Sequence, residues 1–135
     1  MGLDIAAIDH LVLRTANLDA MVDFYRDILG CQVERDMLGE FGLLQLRAGT
    51  ALIDLVAVDS KLGAMGGGPP TATENNLDHF CLQVAVDDEQ TILEHLDDHG
   101  VPHGGFETRY GAQGFGESVY LKDPDGNTVE LRKQL

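Results

Sequence analysis

Ile8-Asp9-His10-Leu11-Val12-Leu13 recurs later in the chain as Leu77-Asp78-His79-Phe80-Cys81-Leu82. Each copy places a histidine inside a short, mainly apolar run, a pattern typical of a β-strand. The copies lie about half the chain length apart, and a repeat at such a spacing predicts two versions of one structural module. A core strand has little need for an imidazole, so two at matching positions indicate a function.

The composition predicts one compact α+β domain. The chain has 135 residues, of which 44% are hydrophobic, and we expect a single domain, 1–135, made of modules 8–59 and 77–132 with linker 60–76. No apolar run approaches the roughly 20 residues of a membrane span. The first residues also lack the basic and apolar regions of a signal peptide. We therefore expect no membrane partner.

The net charge of −14 would repel a phosphate backbone, so we expect no nucleic-acid partner. Cys31 and Cys81 are isolated, without the spacing of a metal site. Their number and spacing favour a reducing, cytoplasmic location, although a disulfide between them stays open.

Hydrophobic periodicity predicts the order β, α, then three strands in the first module. A strand over 9–14 precedes a helix that is capped by Asn17 and ended by Gly30. An extended segment begins at 32–35, and strands follow over 41–46 and 51–58. In the linker, the glycines of 63–68 predict flexibility and the proline pair 69–70 predicts a stiffer end.

The second module repeats this order. We expect a strand over 77–86 and a helix that is capped by Asp87 or Asp88 and ended by Gly100. An extended segment follows over 101–104, and the five glycines of 104–117 predict a loop. Strands over 118–122 and 128–132 flank a strong turn signal at 123–127.

Each module thus carries a histidine on its first strand, His10 or His79, and a carboxylate on its last, Asp54 or Glu130. Imidazole and carboxylate suit Zn, Ni, Mn or Fe(II), and such a metal polarises substrate oxygens. The alternatives are ordinary ones, since a strand histidine is often a hydrogen-bonded core or edge group and an alternating carboxylate often faces solvent. Gln45 is a further polar candidate. Three other histidines are expected on the surface: His95, His99 and His103.

Four segments together resemble the vicinal oxygen chelate superfamily, the fold of glyoxalase I and the bleomycin-resistance proteins. These segments are Ile8-Asp9-His10-Leu11, Phe24-Tyr25-Arg26-Asp27-Ile28-Leu29-Gly30, Leu77-Asp78-His79 and Asp123-Pro124-Asp125-Gly126-Asn127-Thr128-Val129-Glu130-Leu131. The resemblance covers residues 8–132. It implies two paired βαβββ modules that form a curved, half-barrel mixed sheet with a metal site in a central cleft, and it suggests a homodimer.

By motif position, His10, His79 and Glu130 match the metal-binding triad of that superfamily. Asp54 falls where glyoxalase I has a further glutamate, so the resemblance implies that Asp54 is a fourth ligand or, like Glu130, a catalytic carboxylate that shuttles a proton. The segment 109–120 is similar to the substrate side of fosfomycin-resistance transferases. That similarity implies substrate binding by Arg109, Ser118, Tyr120 and Arg132, although a strand serine and a packing tyrosine are an equal alternative.

The sequence therefore leaves three classes of function open. The first is a divalent-metal-dependent lyase or isomerase, similar to glyoxalase I, that acts on a small substrate with vicinal oxygens. The second keeps the metal but is a fosfomycin-type thiol transferase or an extradiol-type dioxygenase, although typical extradiol enzymes have four modules. The third is a metal-free protein that sequesters a drug, as bleomycin-resistance proteins do.

Overall fold

The computed structural model describes residues 2–135, which divide into two compact units, one ending at Pro70 and the other spanning Thr71–Leu135. The boundary between the units falls inside the segment 60–76. No helix within 2–135 is both long and apolar enough to cross a bilayer. Neither cysteine is in a disulfide, and the Cys31 thiol is buried.

The first unit is a four-stranded mixed sheet in the order β1-β4-β3-β2. Its elements are β1 (His10–Thr15), α1 (Leu18–Val22), a π-helical segment (Asp23–Ile28), β2 (Gln32–Met37), α2 (Leu38–Phe41), β3 (Leu43–Ala48) and β4 (Ala51–Ala57). β1 runs parallel to β4, and the other neighbours are antiparallel.

The second unit has the same arrangement, with the order β5-β8-β7-β6. Its elements are β5 (His79–Val84), α3 (Gln90–Asp98), β6 (Glu107–Gly111), β7 (Gly114–Lys122) and β8 (Thr128–Lys133). Here β5 runs parallel to β8. The predicted α+β class is confirmed, and each of the two units forms an open mixed sheet of four strands.

Alternation along the central strands separates an apolar face from a polar face in each sheet. In the first sheet the apolar face carries the buried residues Leu44, Leu46, Ile53 and Leu55 of β3 and β4, and Asp54 and Val56 are buried on the opposite face of β4. The buried side chains of the helical segment that follows β1 include Tyr25, and α1 contacts β4. Burial of one such apolar side chain stabilises the fold by about 1.5–3 kcal/mol. The apolar face of each sheet therefore packs in the core, and the polar face is the one that can carry functional side chains.

The helix predicted over 17–30 ends where it was expected, but its geometry changes from α-helical to π-helical after Val22. It is α-helical only as far as Val22 and then widens, so that the Leu29 N–H donates to the Phe24 carbonyl five residues earlier. Asn17 stands at the N-cap, but its side chain makes no capping hydrogen bond, so that expectation is wrong. Gly30 ends the helix with φ of +86°, a conformation that favours glycine.

The loop predicted over 104–117 is wrong. Residues 107–122 form the hairpin β6–β7, and the segment 101–104 contributes only a single bridge between His103 and Leu121. Two of the five glycines that indicated a loop lie against Arg132, because a Cβ at Gly111 or Gly116 would lie 2.1 or 2.5 Å from its guanidinium. These glycines make room for an arginine on the neighbouring strand.

The glycine-rich segment 63–68 is hydrogen-bonded, in contrast to the predicted flexible linker. The Arg14 guanidinium on β1 donates to the carbonyls of Gly63, Gly67 and Gly68 at 3.1, 2.6 and 3.1 Å.

The predicted end of the second helix at Gly100 is confirmed, since α3 ends at Asp98 and Gly100 has φ of +66°. The N-cap of the second helix is Glu89 rather than the predicted Asp87 or Asp88, although the Asp88 carboxylate accepts a hydrogen bond from the Thr91 N–H at 3.0 Å. The strand predicted over 41–46 begins only at Leu43, because residues 38–41 form α2.

Candidate metal and substrate site

The strand registers place a histidine and a carboxylate at equivalent positions in the two units. In the first, His10 is paired with Leu52, and Asp54 lies two residues further along β4. In the second, His79 is paired with Thr128, and Glu130 lies two residues further along β8. Residues two apart share a face of a strand, so each histidine shares its face of the sheet with one carboxylate.

Both histidines are oriented by the aspartate that precedes them. The Nδ1 atoms of His10 and His79 lie 2.6 Å from the Oδ2 atoms of Asp9 and Asp78. An Nδ1–H that donates to a carboxylate leaves the Nε2 lone pair of a neutral imidazole for another partner. The Asp9 hydrogen bond is also the main cause that raises the pKa of His10, and the negative charge of Asp54 adds to it.

Asp54 is a buried carboxylate with one oxygen still available. It is 3% exposed, and its Oδ2 accepts a hydrogen bond from Gln45 Nε2 at 3.1 Å. Its Oδ1 is buried without a hydrogen-bond partner in the described chain. An orphaned buried oxygen costs about 1–3 kcal/mol, so this site favours a cation or a proton donor.

His79 and Glu130 are in direct contact. Their Nε2 and Oε1 atoms are 3.2 Å apart, and Glu130 is almost fully buried. Both line a pocket of about 230 Å³ within the second unit. The other lining residues are Cys81, Gln83, Tyr110, Gly111, Ala112 and Arg132.

Tyr120 and Arg109 form the neighbouring part of this face. The Tyr120 ring packs edge-on against the His79 ring, with 5.3 Å between centroids, and the Arg109 guanidinium lies over the Tyr120 ring at 4.0 Å. Arg109 also donates to the Ser118 hydroxyl at 3.0 Å and to Glu107 at 2.7 Å. Ser118 is fully buried, and its hydroxyl accepts this hydrogen bond from Arg109.

The structure therefore brings part of the predicted site together. His79, Glu130 and Arg132 share one pocket, and Tyr120 touches His79. His10 and Asp54 belong to the first unit. Among residues 2–135, no group of three or more His, Cys, Asp or Glu side chains is arranged to hold a metal.

Sequence reasoning missed Cys81 and Gln83 as pocket residues. Both follow His79 at intervals of two on β5, and that alternation was the signal that would have found them. Burial, together with the charge of Glu130, raises the pKa of the Cys81 thiol to about 11. Cys81 is therefore a neutral thiol at physiological pH.

His103 is less exposed than the sequence suggested. Its Nε2 lies 2.7 Å from an Asp97 carboxylate oxygen, and its Nδ1 donates to the Gly104 carbonyl at 2.6 Å. These contacts raise its pKa, the carbonyl contributing most. Its contacts are to Asp97 and Gly104 in this unit, and it does not line the pocket.

Comparisons with known proteins agree with this architecture. The family model of the Glyoxalase/Bleomycin resistance protein/Dioxygenase superfamily matches residues 7–131. Glyoxalase domain-containing protein RDO1 of Mycosarcoma maydis is 30% identical over 130 residues, which are 96% of this chain and 69% of that protein.

Two solved structures illustrate the likeness of fold. Integron cassette protein VCH_CASS1 from the mobile metagenome of V. cholerae is 26% identical, with full coverage of both chains and a TM-score of 0.75. Lactoylglutathione lyase from Agrobacterium tumefaciens is 24% identical over 96% of this chain and 94% of that one, with a TM-score of 0.66. At that identity the lyase supports the fold alone.

Proposed function

Because this chain belongs to the Glyoxalase/Bleomycin resistance protein/Dioxygenase superfamily, we propose that it is a divalent-metal-dependent lyase or isomerase of the glyoxalase I type. Its substrate is a small molecule with vicinal oxygens. Superfamily members commonly use a divalent metal. The homodimer and the cytoplasmic location inferred from the sequence belong to the same proposal.

The observation that carries the proposal is the matched pair of Asp–His contacts. A hydrogen bond from Nδ1 to a carboxylate is the usual way in which a protein orients a metal-binding histidine and raises its basicity. Here it occurs twice at 2.6 Å, at repeat-related positions. His103 also contacts an aspartate, so it is the occurrence of the same Nδ1 contact at two repeat-related positions that supports a ligand role for His10 and His79.

The donor set also fits a divalent ion. His10, His79 and Glu130 would hold it through two imidazoles and one carboxylate, a set suited to Zn, Ni, Mn or Fe(II). The orphaned Oδ1 of Asp54 supports a role for Asp54 as a further ligand or as the base.

The residues divide the chemistry between them. A bound divalent ion supplies Lewis-acid polarisation of the substrate oxygens. Asp54 or Glu130 accepts a proton from one of the two carbons that carry the vicinal oxygens and returns it to the other carbon. Tyr120 contacts both His79 and Arg109. Its ring forms one side of the substrate site and orients the two substrate carbons between which the proton moves.

The test loads the full-length protein with Zn, Ni, Mn and anaerobic Fe(II) in turn. Each form is assayed for isomerisation of a methylglyoxal–thiol adduct, thiol addition to fosfomycin, and oxygen uptake with a catechol. We expect isomerisation with at least one metal, loss of that activity in His79→Ala, and retention in His99→Ala. Activity confined to thiol addition or oxygen uptake, or no activity with any metal, would refute the proposed reaction.

A further inference from the structure

Arg132 is a buried cation without a carboxylate partner. It is 3% exposed, and within residues 2–135 its guanidinium makes one direct hydrogen bond, in which Nη2 donates to the Gly114 carbonyl at 3.0 Å. It is absent from the ion pairs formed by residues 2–135. Buried charges in proteins are normally paired, because an unpaired one loses several kcal/mol of hydration.

The second unit is built to keep this arginine in place. Gly111 and Gly116 lie on β6 and β7, and a Cβ at either would collide with the Arg132 guanidinium. Glycine weakens a strand by roughly 0.5–1 kcal/mol relative to alanine. Two such residues beside one arginine indicate that the guanidinium position matters more than the strength of the strands.

Arg132 also faces the pocket that contains His79 and Glu130. Arg109 is different, because Glu107 neutralises it at 2.7 Å and Ser118 occupies a further N–H. Of the two arginines that the sequence offered for an anionic substrate, only Arg132 has a charge that remains unpaired.

We propose that Arg132 binds the carboxylate of a small organic acid in this pocket, an inference on substrate class that rests on the proposed function. A guanidinium matches a carboxylate through two parallel hydrogen bonds, which are strong when water is excluded. The pocket of about 230 Å³ is smaller than the roughly 300–1,000 Å³ of drug-sized sites. The nearby Glu130 carboxylate disfavours a doubly charged phosphate.

The experiment compares propionate with its neutral isostere propionamide, by NMR titration of the arginine side-chain N–H signals in the full-length protein. It is run on the protein as purified and again after chelation, so that binding to a metal is separated from binding to Arg132. We expect propionate to shift the Arg132 signal in both samples and propionamide to leave it unchanged. Arg132→Gln should weaken propionate binding at least about tenfold, whereas the control Arg47→Gln, an arginine of the first unit that is paired with Glu34 at 3.0 Å, should change it less than about twofold.

The inference would be overturned if propionate and propionamide bound equally, or if propionate binding survived Arg132→Gln. The choice of a carboxylate would be overturned if methylphosphonate bound more tightly than propionate. If Arg132→Gln does not fold, the wild-type Arg132 signal alone decides the question. A shift after chelation supports anion binding even if the metal assays fail, so the two proposals fall separately.

Discussion

His79 and Glu130 lie on neighbouring parallel strands, with 3.2 Å between Nε2 and Oε1. The same register relates His10 to Asp54 in the first unit. The repeat is therefore one of chemistry as well as of strands, because each copy presents an imidazole and a buried carboxylate on the same polar face. Burial of both acids would be costly without a partner, and this cost is what a bound cation would offset.

Asp78→Ala should weaken metal binding toward the lower end of the about 10–100-fold range seen for lost carboxylate partners of metal-binding histidines. The reason is that His79 loses the acceptor that orients Nδ1, although the Asp78 side chain is largely exposed. Asp9→Ala should behave alike. Competition with a chromogenic chelator measures the affinities, with the exposed Asp87→Ala as the control. A change no larger than that of the control in both variants would count against the ligand roles.

Asp54→Asn should separate stability from activity. Removal of a buried charge whose Oδ1 lacks a partner should leave the free energy of unfolding unchanged or raise it by up to about 2 kcal/mol in chelator. The catalysed rate should fall at least about 100-fold. Urea unfolding and the isomerase assay measure the two effects, with the exposed Asp59→Asn as control. Full activity in the variant would remove Asp54 from the mechanism.

His103→Gln should lose more stability in acid than in base. The Gly104 carbonyl and Asp97 raise the pKa of His103 in the folded state. The folded state therefore binds the proton more tightly, and this contribution is full below the unfolded pKa of about 6.5 and fades as the pH rises through the folded pKa. Urea unfolding in chelator should show less than about 1 kcal/mol of loss, larger at about pH 6 than at about pH 8.5. If the loss of stability were equal at the two pH values, or larger at the higher one, the raised pKa of His103 would be contradicted.

Gly111→Ala should displace the Arg132 guanidinium, because the new Cβ would lie 2.1 Å from Nη1. The obstructed group is the flexible end of a side chain, so the free energy of unfolding should change by no more than about 1 kcal/mol. Propionate binding should weaken by at least about threefold, a loss smaller than that expected for removal of the charge. Gly105→Ala is the control, since a Cβ there meets nothing within 4 Å. Unaltered propionate binding in Gly111→Ala would show that the glycine is not needed for Arg132.

The sequence predicted the parts of the fold that depend on local chemistry. Alternation located the central strands, Gly30 ended the first helix, and Asp123 formed the predicted turn by accepting from the Asp125 and Asn127 N–H groups at 3.0 and 2.9 Å. The hairpin β6–β7 was missed because its glycines are disfavoured in strands. Two of them, Gly111 and Gly116, are explained by Arg132 on β8, which is a tertiary contact.

In the candidate site, too, the features that depend on local sequence were predicted and those that depend on tertiary contacts were not. The repeat alone singled out His10, His79, Asp54 and Glu130, because their spacing is visible in the chain. Which arginine keeps an unpaired charge depends on Glu107, a neighbour of Arg109 that no motif marks. The hydrogen bonds from Arg14 to the glycine-rich segment are likewise long-range in sequence, so composition suggested flexibility there.

Metal content tests the central claim most directly. The full-length, untagged protein and a His10→Ala/His79→Ala variant are each offered Zn, Ni, Mn and anaerobic Fe(II), desalted and measured by elemental analysis, beside a His95→Ala/His99→Ala control. The account predicts near-stoichiometric binding of at least one of these metals by the wild type and the control, and its loss in the first variant. Absence of metal from the wild type under all four conditions, or its full retention in the His10/His79 variant, would contradict it.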